Sequence, residues 1–176
     1  ILKIDLSNFD YEIYSKGHRN ILGLTFDKEN NKIISTENGP RGGDEINVIQ
    51  KNKNYGWELA SYGKKYKKDL KSFQYKDHEE LGFEEPIHAF IPSLGISQIT
   101  KVDSNFDDFY WNNNFLIGTL QNKALLRVKF DKNFNKVLFV ESIYIGERII
   151  DIKYIKKSKI VILALENSGS LGILKK

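Results

Sequence analysis

Ala124-Leu125-Leu126-Arg127-Val128-Lys129-Phe130 runs into Asp131-Lys132-Asn133-Phe134-Asn135 and then into Lys136-Val137-Leu138-Phe139-Val140-Glu141-Ser142. Two runs of strand length, rich in Leu, Val and Phe, flank a short cluster of Asn, Asp and Lys, which is the chemistry of a hairpin turn. The next pair repeats the arrangement: residues 149–155 and 159–165 are apolar and β-branched, and Lys156-Lys157-Ser158 joins them. Residues 169–174 add a further run. Upstream the same signal recurs at 22–26, 32–36, 46–50 and 115–119, with Asn-, Asp- and Lys-rich turns at 27–32 and 51–54. No stretch keeps a helical apolar period over three turns. The chain is expected to be all-β.

Consecutive antiparallel strands with tight connections form a meander, the blade unit of a propeller. At roughly 40–50 residues per blade, the chain has room for about three and a half to four blades. Pattern alone also admits a β-sandwich. An open set of blades exposes an edge that something must cover, so pairing through open blade edges, or with a separate N-terminal half, is expected. Residues 62–86 alternate little and read as a long surface excursion inside one domain, not as a linker.

Composition narrows the classes. Hydrophobic residues at 40% and charged residues at 28% are those of an ordinary globular chain. No apolar run approaches the roughly 20 residues of a membrane-spanning helix, so no membrane span is expected. The absence of Cys excludes disulfides and thiolate metal sites. The chain contains no Met, so the start of translation, and any signal segment with it, is expected upstream. The net charge of +4 comes from scattered lysines. The one dense run, Lys64-Lys65-Tyr66-Lys67-Lys68, reads as a solvated loop, and no nucleic-acid partner is expected.

Three segments carry site chemistry: Gly17-His18-Arg19-Asn20-Ile21-Leu22-Gly23-Leu24, Glu37-Asn38-Gly39-Pro40-Arg41-Gly42-Gly43-Asp44-Glu45-Ile46-Asn47 and Asn54-Tyr55-Gly56-Trp57. Arg19 offers a planar fork to a carboxylate, and Asn20 adds a neutral donor. His18, adjacent in extended chain, points to the opposite face and reads as a packing residue. Gly39-Pro40 can present two successive carbonyls from a tight turn, the oxygens a hard cation such as Ca²⁺ prefers, or can simply be a hairpin turn. Asp44 and Glu45 suit capping of that turn. Trp57 reads as core.

In order and spacing these segments resemble the G-x-R-N…G-L, E-x-G-P…D-E-(I/L)-N and N-Y-G-W series of the soluble aldose dehydrogenase (glucose/sorbosone dehydrogenase) family. The resemblance continues through Pro92-Ser93, the 115–128 hairpin and Gly146-Glu147-Arg148, nearly the whole chain. It implies a six-bladed β-propeller of which residues 1–176 are the C-terminal part, with the N-terminal blades outside this chain. It implies pyrroloquinoline quinone (PQQ) and Ca²⁺ at the mouth of the central channel, and hydride transfer from the anomeric carbon of an aldose to the quinone, giving a lactone. A periplasmic or secreted location is implied as well. The general-base His would lie upstream, since none of His18, His78 or His88 matches it, so no catalytic residue is expected in this chain and the chain alone is expected to be inactive.

By the same resemblance Arg19, Asn20, Asn38, Ser93, Gln121 and Arg148 would contact the cofactor, and the carbonyls of Gly39 and Pro40 would hold its calcium. Glu45 and Tyr55 would contribute to a second, structural calcium, partly through main-chain carbonyls, with a third acidic ligand falling near Lys64-Lys65. Departures from the family pattern sit downstream. Ile91 stands where a ring-stacking Trp is usual, Gln121 where a Lys is frequent, and Ile150 where the pattern R-x-R-D has its second arginine. Residues 148 and 150 share a strand face, so an apolar side chain points where a cation would meet a carboxylate. At roughly 1.5–3 kcal/mol per charged hydrogen bond, two missing cations weaken cofactor binding substantially. These positions favour an alternative, a propeller that has lost the cofactor and binds carbohydrate or protein.

Overall fold

The computed structural model describes residues 1–66, 75–107 and 109–175, so Lys67 and Lys68 of the lysine run lie outside the described residues. The chain forms β1 (Leu2–Ile4), β2 (Tyr11–Ile13), β3 (Ser15–Lys16), β4 (Ile21–Asp27), β5 (Lys32–Glu37), β6 (Asp44–Ile49) and β7 (Lys53–Asn54). It continues through β8 (His88–Phe90), β9 (Ile96–Val102), β10 (Asn114–Thr119), β11 (Ala124–Phe130), β12 (Val137–Tyr144), β13 (Ile149–Ile155), β14 (Ile160–Leu165) and β15 (Ser170–Lys175). Single 3₁₀ turns cover Glu79–Leu81 and Lys156–Ser158.

The strands form three antiparallel meanders, ordered β4-β5-β6-β8, β9-β10-β11-β12 and β13-β14-β15, beside the β1–β2 hairpin and a short parallel β3–β7 pair. Turn chemistry fixes the connections. The Asp131 carboxylate accepts from the amides of Asn135 (2.7 Å) and Lys136 (3.0 Å), closing the β11–β12 hairpin. Asp27 does the same at the β4–β5 turn, accepting from the Glu29 amide and the Asn30 side chain. The three meanders pack as successive propeller blades, and the β1–β2 hairpin is a separate two-stranded sheet.

Two apolar layers separate the sheets. Ile34, Ile46 and Phe90 of the first sheet meet Ile96, Phe115 and Leu126 of the second. Val102, Leu116 and Leu125 of the second meet Ile149, Ile152 and Leu163 of the third. The middle sheet is thus covered on both faces, and every residue of β10 is buried. At about 1.5–3 kcal/mol per buried large side chain, these layers dominate the stability. The inner strands are also laced together. Thr36 Oγ1 donates to the Ser97 carbonyl (2.5 Å), and Ser97 Oγ donates to the Ile149 carbonyl (2.5 Å). The approach requires glycine on both sides: a Cβ on Gly23 would lie 2.2 Å from Thr36 Oγ1, and one on Gly118 2.5 Å from Ser97 Oγ.

Candidate functional site

One end of the sheets gathers the start of β4, the β5–β6 turn, the segments entering β9 and β13, and the β10–β11 turn. Asp44, the first residue of β6 and fully buried, organises this end. Its carboxylate accepts from the Gly39 amide (3.1 Å), Ser93 Oγ (2.6 Å) and the amides of Leu94 (2.9 Å), Gly95 (2.7 Å) and Ile96 (3.3 Å). One side chain therefore fixes the β5–β6 turn of one blade to the entry strand of the next. The entry loop in turn holds the β10–β11 turn, because the Leu120 amide donates to the Gly95 carbonyl and the Gln121 amide to that of Leu94. The sequence offered Asp44 only as a turn cap. Its reach across a blade boundary had no local signal.

Arg19 and Asn38 lie against each other. Arg19 Nη1 donates to the Asn38 carbonyl (2.7 Å) and Nη2 approaches the Tyr66 hydroxyl (3.5 Å). The guanidinium lies over the Trp57 ring, 5.3 Å from its centroid. Trp57 is half-buried and lies outside the two apolar layers, so the expectation of a core tryptophan is corrected: its face supports Arg19. Asn20 is exposed, and its carbonyl accepts from the Asn38 amide (3.0 Å). Asn38 Oδ1 is buried and has no hydrogen-bond partner. A fixed guanidinium fork can meet a carboxylate, whereas the unpaired Asn38 Oδ1 is an acceptor and can take a hydrogen bond only from a donor.

The Gly39-Pro40 turn is lined with main-chain oxygens. A Cβ on Gly39 would lie 2.2 Å from the carbonyl oxygens of Gly42 and Gly43, and one on Gly63 would lie 2.1 Å from that of Pro40. These carbonyl oxygens pack against the two glycines, so a side chain at either position would collide with them. The Pro40 carbonyl already accepts from the Lys64 amide (2.9 Å), which leaves it one lone pair.

The downstream candidates sit at the same end but are differently engaged. Ser93 gives its hydroxyl hydrogen to Asp44 and retains acceptor capacity only. Gln121 is exposed. Arg148 ion-pairs with Glu166, both side chains being nearly half exposed. Ile150 is 47% exposed and Ile91 67%, so both aliphatic replacements face solvent. The Arg19 end therefore fits an anionic planar cofactor, whereas the Arg148 end supplies little free charge.

Glu45 and Tyr55 are placed differently from the expected calcium site. Glu45 is buried and opposite Glu37 across β5 and β6. Burial first, then the Glu37 carboxylate, pushes its pKa up to about 8. Its Oε1 lies 3.8 Å from Nε2 of His78, whose own pKa is lowered by burial. The Tyr55 hydroxyl is spent, donating to the Val48 carbonyl (2.7 Å) and accepting from the Gln50 amide (3.0 Å), and burial raises its pKa to about 12. The Tyr55 main-chain carbonyl hydrogen-bonds the His78 ring. No group of three His, Cys, Asp or Glu side chains among the described residues is arranged to hold a metal. His18 is a packing residue, as expected: it bonds Ser15 Oγ (2.8 Å) and Glu37 (3.2 Å) and stacks on Tyr55.

Stacked antiparallel meanders with packed apolar layers between them are the architecture of propeller blades. The profile of the Glucose / Sorbosone dehydrogenase family matches residues 3–174, and the chain belongs to that family. It is 35% identical over 163 residues, 91% of this chain and 43% of that protein, to the aldose sugar dehydrogenase YliI of Escherichia coli. Over 51 residues, 28% of this chain and 10% of that protein, it is 51% identical to quinoprotein glucose dehydrogenase B of Acinetobacter calcoaceticus. The crystal structure of the soluble aldose sugar dehydrogenase of Escherichia coli in its apo-form superposes with a TM-score of 0.80 at 30% identity, covering 94% of this chain and 47% of that one. The chain spans less than half the length of each of these relatives. No helix among the described residues is long and apolar enough to cross a membrane.

Proposed function

We propose that the protein carrying this chain oxidises aldose sugars to lactones with PQQ and Ca²⁺, in the periplasm or outside the cell, and that residues 1–176 are the C-terminal, cofactor-holding part of its propeller. The observation that carries this reading is the Arg19 fork, held by the Asn38 carbonyl and the Trp57 ring beside the Gly39-Pro40 turn. When bound, the quinone supplies the hydride acceptor. This chain's residues bind and orient it. Arg19 would meet its carboxylate or quinone oxygens, Asn38 would donate to it from the side-chain NH₂, and the carbonyls of Gly39 and Pro40 would hold its calcium. Asp44 keeps that turn in register with Ser93. The base that takes the sugar's proton belongs to the upstream blades, so this chain alone turns nothing over.

A second reading has its own support. Arg148 is held by Glu166 and Ile150 faces solvent, which suits a propeller that binds carbohydrate or protein without the quinone. Dye-linked turnover by the whole protein, supplied with PQQ and Ca²⁺ and offered several aldoses, separates the two. Sugar-dependent dye reduction supports the dehydrogenase, and its complete absence supports the binding protein.

A further inference from the structure

His78 has no part in the proposed cofactor site, yet it is 1% exposed and set among acceptors. Nε2 lies 3.8 Å from Glu45 Oε1, and Nδ1 lies 4.0 Å from Glu85 Oε2 without a hydrogen-bond partner of its own. The Tyr55 main-chain carbonyl bonds the ring, and the Tyr62 ring stacks on it at 5.4 Å. Gly56 makes the room: a Cβ there would meet His78 Cδ2 at 3.1 Å and the Phe83 ring at 2.8 Å. Glu85 is bound in place, accepting from the Tyr62 hydroxyl (2.6 Å) and the Glu79 amide (2.9 Å). Two carboxyl groups and a main-chain carbonyl around one buried point are the donor set of a divalent cation, but the point is filled by an imidazole.

We propose that the His78 ring takes the place of a structural cation, tying β6 and the Asn54-Tyr55-Gly56 segment to the chain that returns toward β8. A metal ion there would need the volume the ring occupies and the carbonyl its N–H already satisfies. The ring thus makes this corner independent of calcium. The inference stands apart from the quinone reading, because none of these residues is assigned to the cofactor.

Tb³⁺ binding to the whole protein, read by tyrosine-sensitised luminescence, tests it together with thermal unfolding. In the otherwise native protein, Glu45→Gln leaves the number of bound Tb³⁺ ions unchanged. His78→Gly opens a cavity lined by Glu45, Glu85 and the Tyr55 carbonyl. This variant binds one additional ion and melts several degrees lower, and either Ca²⁺ or free imidazole restores its Tm. Loss of a bound ion on Glu45→Gln in the native background overturns the proposal. So does a folded His78→Gly protein that neither Ca²⁺ nor imidazole stabilises. Should His78→Gly fail to fold, the Glu45→Gln comparison alone decides.

Discussion

Asp44→Asn is nearly isosteric and removes one charge from the centre of five hydrogen bonds that join two blades. The remaining amide oxygen can keep some of the donors, but its NH₂ must face others, donor against donor. Hydrogen bonds to a charged group are worth about 1.5–3 kcal/mol each, and a buried donor left unpaired costs about 1–3 kcal/mol. With two or three donors displaced and partial relaxation, the expected loss is about 3–5 kcal/mol. Urea unfolding of the whole protein measures it, with the slope checked against the native value so that the midpoint reports stability. Ser93→Ala removes one of the five bonds and should cost only about 1 kcal/mol. An Asp44→Asn protein within about 1 kcal/mol of the native one would refute the hub, and so would a Ser93→Ala loss as large.

Arg19→Lys keeps the charge but loses the fork that reaches Asn38 while lying on Trp57; PQQ affinity should fall roughly tenfold or more, and equal affinity would remove Arg19 from the site. Glu45 titrates near 8 when folded and near 4.5 when unfolded, so its contribution is complete below about pH 4.5 and is lost as the pH rises through about 8. Unfolding midpoints between pH 6 and 9 should therefore fall more steeply in the native protein than in Glu45→Gln, and parallel profiles would contradict this. On the β1–β2 hairpin, Leu2 pairs with Ile13 and Ile4 with Tyr11, so all four exposed side chains share one face. The isolated chain should self-associate there, and Tyr11→Glu with Ile13→Glu should yield a smaller species by light scattering; a native chain that is already monomeric counts against it.

Much of the fold was legible because the later strands announce themselves. In β13 and β14, runs of Ile, Leu and Val bounded by Lys-Lys-Ser set the expected limits within a residue of those found. Strand β9 was not readable: a register irregularity separates Ile96 from Ile99, which both face one apolar layer, while Val102 faces the other, so no two-residue alternation shows. Strand β8 is only His88–Phe90 and pairs with β6 across a long excursion, so nothing local marks it. At the site, Arg19, Asn38 and Gly39-Pro40 were visible as motifs. His78 was not, since a buried histidine delivered from a loop carries no spacing signal, and its partners Glu45 and Tyr55 lie more than twenty positions upstream.

Equilibrium titration of the whole apoprotein with PQQ in the presence of Ca²⁺, followed by quenching of Trp57 fluorescence, tests the central claim most directly. The ring beneath Arg19 should report saturable binding at micromolar quinone or below, with Arg19→Ala abolishing it. No quenching at micromolar quinone, or quenching that Arg19→Ala leaves intact, would contradict a cofactor held at this end of the propeller.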